Sequence, residues 1–542
     1  MSLRLLIVAA LATVLASCGG NLPNSAISRH LAGRYAGALT DSTAVATVIR
    51  DRGIRPPDLS SGVPVVEQLR AELAKSDPTG AYAGITYDLT RGNRLGGDWI
   101  VHTPDDMWGR KASDLPPGHS DSLVRLVHDL VASAQRRVDI ALLQPSPDGP
   151  FLEALRSALQ SLASRSRPIT VRVILGQYPP DNVDVPAFLK ALSEGIDTTR
   201  IDLSVAAFRS CVATEDCDSY SWNHAKIVAV DGREALVGGH NLWAKDYLHA
   251  SPVGDLSMRL QGPAAASAVR YIDRLWQYVC ANTGKKDPIA LAGSSGRCPS
   301  PTPLPAIAGR DGVPILAVGR LGAGITKDFA NQSDVARDMM LAAARHEIRI
   351  VQQDLGFGLG RADVLFPDST IDRLIDFLRR GQGDIYIVLS NLGAKGRSGS
   401  TYSNDVTLQQ LARHLRREVE RRVEARDPLS RWEIRRGPDP VNALLCEHVH
   451  LAPYRFGPEA SWPGGVPIAN HAKFWMVDGR TFYIGSDNMY PVNLQEFGYI
   501  VDDPKAAREI SAAYWTPLWQ WSSKAAVSGS GVENCIFREV IK

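Results

Sequence analysis

Apolar and polar positions alternate along this chain in two stretches that follow the same order. In the first, apolar residues at Leu123, Val124, Val127, Leu130 and Val131 recur at helical spacing and predict a helix over Ser120–Ala134. A β-branched apolar run then predicts a strand at Val138–Leu143. A second helix follows at roughly Phe151–Ser164 and a second strand at Thr170–Leu175, closed by Gly176 and Pro179-Pro180. The second stretch repeats this pattern with helix Asp334–Arg345, strand Glu347–Gln352, helix Thr370–Arg380 and strand Asp384–Leu389. The strands are mostly apolar throughout, as in sheets covered by helices on both faces. The prediction is an α/β fold of two duplicated α/β/α sandwich units, packed face to face with pseudo-twofold symmetry. Gly, Pro and Ser collect from Gly293 to Pro305, so the expected division is residues 64–305 and 306–542.

Two regions fall outside this repeat. Residues 19–63 are polar and mixed, and read as a tether with one short helix around Ala44–Arg52. A long insert, about Gly393–Pro463, separates the last predicted strand from the C-terminal segment; its Arg413–Arg426 stretch reads as a solvated helix face.

Composition narrows the setting. The chain has 542 residues and a formal net charge of +2, so no global basic field argues for nucleic acid. Arg4, an apolar run from Leu5 to Leu15, and then Ala16, Ser17 and Cys18 have the parts of a secretory signal over residues 1–18. The Leu15-Ala16-Ser17-Cys18 order resembles the bacterial lipobox, in which Cys18 is lipidated. On that reading the exported chain is anchored to the outer membrane, since no Asp follows the Cys. An ordinary cleaved signal, giving a secreted protein, is the alternative. The remaining cysteines, Cys211, Cys217, Cys280, Cys298, Cys446 and Cys535, form an even set. Nearest-neighbour pairing predicts Cys211–Cys217 and Cys280–Cys298, leaving Cys446–Cys535; free buried thiols are the alternative. None of the six has metal-site spacing.

The chemistry lies in a repeated motif. His224-Ala225-Lys226 is followed after four residues by Asp231, and His471-Ala472-Lys473 after four residues by Asp478. The intervening residues are apolar, so each stretch reads as a strand ending at an Asp-Gly turn. Residues i and i+2 share a face of a strand, about 7 Å apart, which places an imidazole and an ammonium around one phosphate. Both motifs continue alike, through Gly238-Gly239-His240-Asn241 and Gly485-Ser486-Asp487-Asn488. Gly239 and Ser486 allow close approach to an anion, and Asn241 and Asn488 can donate to phosphate oxygens. Asp255 and Glu496 can orient the histidines by accepting from the second ring nitrogen. Asp231 and Asp478 complete the motif, with turn formation as their competing role. Trp222, Trp243, Tyr247, Trp475, Met489 and Tyr490 flank the motifs as candidates for an acyl-chain cleft, with core packing favoured for Trp475.

These paired motifs resemble the phospholipase D superfamily. The resemblance to the secreted bacterial, actinomycete-type members covers about Gln68 to Cys535. It includes Arg91-Gly92-Asn93-Arg94-Leu95, Ser221-Trp222-Asn223-His224, Asp246-Tyr247-Leu248, Gln352-Gln353-Asp354-Leu355 and Leu494-Gln495-Glu496-Phe497-Gly498-Tyr499. It implies two phospholipase D-like domains and cleavage of a phospholipid, of the phosphatidylcholine type, to phosphatidic acid and free headgroup. The route is a phosphohistidine, with transphosphatidylation to alcohols. By resemblance His224 is the nucleophile and His471 the general acid/base; the symmetry of the motifs admits the reverse. Lys226, Lys473, Asn241 and Asn488 would stabilise the phosphate oxygens. No cofactor or metal is implied. The expected partners are the phospholipid and a membrane surface reached through the anchor, with no obligatory nucleic acid, and the chain is expected to be a monomer. Glu496 stands where close relatives carry Asp. A nuclease or other phosphodiesterase acting on nucleic acid is the alternative, because the same motif pair serves such enzymes.

Overall fold

The computed structural model describes residues 42–541 apart from 116–119, 166, 180, 212–219, 249–250, 285–288, 294–297, 300–303, 305–310, 361–362, 382 and 425–438. Cys18, the signal segment and Cys217 therefore lie outside the described residues, and so does the Cys211–Cys217 pairing. Cys280–Cys298 and Cys446–Cys535 are disulfides. Such bonds persist in oxidising compartments. Among the described residues no helix is long and apolar enough to cross a membrane.

The duplication appears as two sheets with matching cores. In the nine-stranded sheet, Ile201–Cys211, Ile169–Gly176 and Arg137–Leu143 run parallel. Ile227–Val230, Glu234–Gly238 and Asp255–Gln261 continue it antiparallel. The eight-stranded sheet repeats this order with Val449–Pro453, Asp384–Leu389 and Glu347–Gln352, then Phe474–Val477, Thr481–Gly485 and Glu496–Asp502. Parallel neighbours need crossover helices. Asp121–Ala132, Gly149–Ala163, Gln332–Ala343 and Asp368–Arg379 stand within two residues of the helices predicted at those places.

The helix Ala264–Asn282 packs against strands of both sheets and is buried along much of its length. Small residues at its start, Ala264, Ala265 and Ala268, let the backbone approach closely. Tyr271 donates its hydroxyl to the Arg320 carbonyl (3.0 Å), and Tyr499 donates to the Ala264 carbonyl (2.8 Å).

Three expectations need correction. The sheets do not divide at residue 305: Tyr87–Asn93 pairs antiparallel with Val313–Arg320 at the edge of the second sheet. The tether is partly folded, since helix Ser42–Asp51 buries Val45 and Ile49 in the core. The insert contains the strand Val449–Pro453, the repeat partner of Ile201–Cys211. Its Arg-rich helix Leu408–Glu424 buries Leu411, Leu415 and Val419 on one face and leaves Arg413, Arg417 and Arg421 exposed on the other, the solvated face expected there.

Candidate active site

Each His-x-Lys tripeptide leads directly into a short central strand, Ile227–Val230 or Phe474–Val477. The four apolar residues of that strand are buried on both faces, so the lead-in is held rigidly. Lys226 donates its ammonium to the His224 carbonyl (2.6 Å), and Lys473 donates to the His471 carbonyl. Asn223 and Asn470 each precede a histidine and each donate to a carbonyl of the neighbouring antiparallel strand, Leu142 and Gln352, both at 2.9 Å. Their support was missed in the sequence, although the same residue stands before both histidines.

The two units are laced together at the histidines. The His224 backbone N–H donates to the Gln495 carbonyl (2.8 Å), and the His471 N–H donates to the Gly254 carbonyl (2.7 Å). Gln495 and Gly254 immediately precede Glu496 and Asp255. The carboxylates therefore cross over: Glu496 of the second unit meets His224 Nδ1 at 3.0 Å, and Asp255 of the first meets His471 Nδ1 at 2.9 Å. The rings face each other with centroids 6.2 Å apart at 74°. Occupying each Nδ1 with a carboxylate fixes the ring and leaves Nε2 for chemistry. His224 and His471 both line a cavity of about 1170 Å³, together with Asn241, Trp243, Tyr402 and Tyr490.

The carboxylates sit in different surroundings. Asp255 accepts from the Tyr247 hydroxyl (2.7 Å). Beside it His240 is held between Ser257 (2.7 Å) and Thr103 (3.0 Å). Glu496 accepts from Ser486 Oγ (2.5 Å) and lies 3.6 Å from Arg320. Arg320 also pairs with Asp334 (3.0 Å) and Asp487 (2.8 Å), and Arg337 closes this buried network on the same two carboxylates.

Burial dominates the titration of the site. It pushes His224 down to about 4, against the pull of Glu496. Burial, aided by Lys473, pushes His471 down to about 3. Burial likewise takes Lys473 down to about 7 and Lys226 well below its ordinary value. Burial alone would raise the two carboxyls. His471 and His240 hold Asp255 below the usual range, and His224 and Arg320 do the same for Glu496. The cavity is thus a place where positive charge is disfavoured until an anion enters.

Several expected site residues do other work. Asp231 accepts from the backbone N–H groups of Gln135 (2.8 Å), Arg136 (2.8 Å) and Arg137 (2.9 Å). Asp478 does the same for Arg345 (3.1 Å), His346 (2.7 Å) and Glu347 (3.0 Å). Both adopt positive φ at the turn, seven residues beyond the histidine, and pin the start of the neighbouring strand; neither lines the cavity. Gly239 is backbone against Asp255 and the His471 carbonyl, with which a side chain would collide. Its smallness serves the carboxylate, not a phosphate. Ser486, at the matching place, spends its hydroxyl on Glu496. Asn241 lines the cavity, and Asn488 donates to the Tyr490 hydroxyl (2.8 Å). The side-chain carbonyl of each is buried without a partner among the described residues. Trp475 stacks on Tyr483 in the core, while Trp222 is buried beside Trp243 and Tyr490. Among the described residues no cluster of three or more His, Cys, Asp or Glu could hold a metal ion.

Two histidines held by carboxylates on opposite sides of one cavity, each beside a buried lysine, define a phosphodiester-cleaving enzyme. The chain is 32% identical over 514 residues to a phospholipase D of Streptomyces antibioticus, covering 85% of this chain and 88% of that one. It belongs to the phospholipase D family and is a phosphodiesterase. No model of a protein family matches the sequence. Among solved structures, a phosphatidylserine synthase from Haemophilus influenzae is 12% identical with a TM-score of 0.49, over 79% of this chain and 87% of that one. NucT from Helicobacter pylori is 14% identical with a TM-score of 0.24, over 35% of this chain and 96% of that one.

Proposed function

We propose that this enzyme is a phospholipase D that hydrolyses phospholipids of the phosphatidylcholine type to phosphatidic acid and free headgroup, and that it also transfers the phosphatidyl group to alcohols. The observation that carries the reading is the crossed His–carboxylate pairing, which leaves two imidazole Nε2 atoms facing one cavity from opposite sides. Aromatic and apolar lining by Trp243, Tyr490 and Tyr178 fits a lipid diester.

The diester enters as a monoanion, and its charge lifts the depressed site so that His471 and both lysines hold protons. His224 Nε2 attacks phosphorus. The bond to the headgroup oxygen breaks, and that oxygen takes the proton from His471 Nε2. Water, or an alcohol, then attacks the phosphohistidine and gives its proton to His471. The P–N bond breaks, returning its electron pair to His224. Lys226, Lys473, Asn241 and Asn488 stabilise the charge on the non-bridging oxygens. In the same reading Cys18 carries a lipid that holds the monomeric enzyme on a membrane.

The test uses the chain without residues 1–18, phosphatidylcholine vesicles and ethanol, with products read by mass spectrometry. The expected products are free choline, phosphatidic acid and phosphatidylethanol. Absence of lipid products, with cleavage of a nitrophenyl phosphodiester retained, would remove the lipid reading and leave nucleic acid as the substrate to try.

A further inference from the structure

One wall of the cavity is a small hairpin formed by residues 394–402 of the second unit. It is closed by backbone bonds from Tyr402 N–H to the Ala394 carbonyl (2.9 Å) and from Gly396 N–H to the Ser400 carbonyl (2.8 Å). Its residues Lys395, Ser398, Gly399, Ser400, Thr401 and Tyr402 all line the cavity. The hairpin docks on a residue of the first unit, Asp246, whose side chain is fully buried.

The Asp246 carboxylate accepts from Ser398 N–H (2.7 Å), from Ser398 Oγ (2.7 Å) and from the Tyr402 hydroxyl (2.7 Å). All three donors belong to the hairpin. A buried carboxylate held by neutral donors is stable only while they stay in place. Gly396 is packed so closely on this carboxylate that a methyl group there would collide with it.

From this anchor the hairpin reaches His471 through Tyr402. The Tyr402 ring meets the His471 ring edge-on, with centroids 5.1 Å apart at 82°. Beside it the Tyr247 hydroxyl donates to the same Asp255 oxygen (2.7 Å) that holds His471 Nδ1 (2.9 Å). Asp246 therefore fixes, through the Tyr402 hydroxyl, the ring that packs against His471. No other ring contact of this kind is found at His224 besides that with His471, among the described residues.

We propose that Asp246 and Tyr402 are positioning residues for His471, the hairpin acting as a latch that seats this imidazole for proton transfer without touching the reacting atoms. The inference rests on the phosphohistidine route proposed above. With a nitrophenyl leaving group, departure needs no proton, so His471 is required only when water attacks the phosphohistidine. Loosening the latch should therefore slow the second step selectively.

The experiment follows nitrophenolate release from a short-chain phosphatidyl-p-nitrophenol in a stopped-flow instrument, using wild type, Asp246→Asn and Tyr402→Phe. The expected result is an initial burst of unchanged amplitude in both variants, with the steady rate after it reduced about tenfold or more. Tyr402→Phe keeps the ring on His471, so a purely packing role for Tyr402 predicts no change there. Ser398→Ala removes one donor and should give an intermediate reduction of the same kind, which keeps the test available if Asp246→Asn does not fold. Burst and steady rates falling together, or an unchanged steady rate, would overturn the latch. Wild type that forms no phosphohistidine at all would overturn the two-step reading itself, whatever the variants do.

Discussion

The surroundings of the two histidines differ although the histidines match. Around His224 the supporting carboxylate, Glu496, belongs to a buried ionic network with Arg320, Arg337, Asp334 and Asp487. Around His471 the supporting carboxylate, Asp255, accepts from the Tyr247 hydroxyl, beside a buried His240 set between Ser257 and Thr103. The two histidines that face the cavity repeat, and the groups behind their carboxylates do not. In-line displacement at phosphorus needs an acceptor and a donor on opposite sides of one atom, which constrains the first layer in both units. A carboxylate behind each ring needs only to be fixed and ionised, and either arginines or hydroxyls achieve that.

Breaking the comparison at its centre gives the largest effect. His224→Ala and His471→Ala should each lower turnover of phosphatidylcholine by about a thousandfold or more, because the two act as a unit. Near-normal activity in either would show that the halves do not share a site. The supporting shells should separate next. Arg320→Ala leaves Glu496 buried without its arginine, and Asp334 and Asp487 sharing Arg337 alone, and should cost about 3–5 kcal/mol in denaturant unfolding. Thr103→Ala in the neutral shell should cost only about 1 kcal/mol. Equal losses would mean the shells are not of different kinds. Asp231→Asn and Asp478→Asn should lower stability by about 1–3 kcal/mol each and leave the kcat of the remaining folded enzyme near wild type. A selective loss of kcat would restore them to the chemistry.

The smallest effect is a proton linkage. His224, His471 and Lys473 are pushed down by burial, so an anion that favours their charged forms must draw protons in. Dimethyl phosphate, a monoanion throughout, should bind with net proton uptake near neutral pH. Its affinity should fall as pH rises above about 7, where free Lys473 is neutral. Calorimetry in two buffers of different ionisation enthalpy measures this directly; release of protons would reverse the sign of the account.

Much of the fold was legible because its parallel strands are continuous apolar runs. Glu347–Gln352 and Asp384–Leu389 stand where the pattern put them. Val449–Pro453 was hidden because it is short and lies inside a charged insert. Tyr87–Asn93 was hidden because its partner is more than two hundred residues away, and local pattern carries no information about pairing. At the site, His224, Lys226, His471 and Lys473 were visible through their repetition. Asp255 and Glu496 were visible as carboxylates, but which histidine each holds depends on how the units pack. Gly239 reads as a phosphate contact in the sequence because a glycine signals close approach without saying to what; the approach is to Asp255. Asp231 and Asp478 belong to the repeated motif because each strand start needs the same carboxylate.

The central claim is one site, built from both halves, working through a phosphohistidine. The most direct test mixes the enzyme with a phosphatidyl-p-nitrophenol, quenches the first turnover at alkaline pH and maps the modified peptide by mass spectrometry. The account predicts the substituent on His224, accumulating further in His471→Ala and absent in His224→Ala. Modification of neither histidine, or equal modification of both in separate molecules, would contradict it.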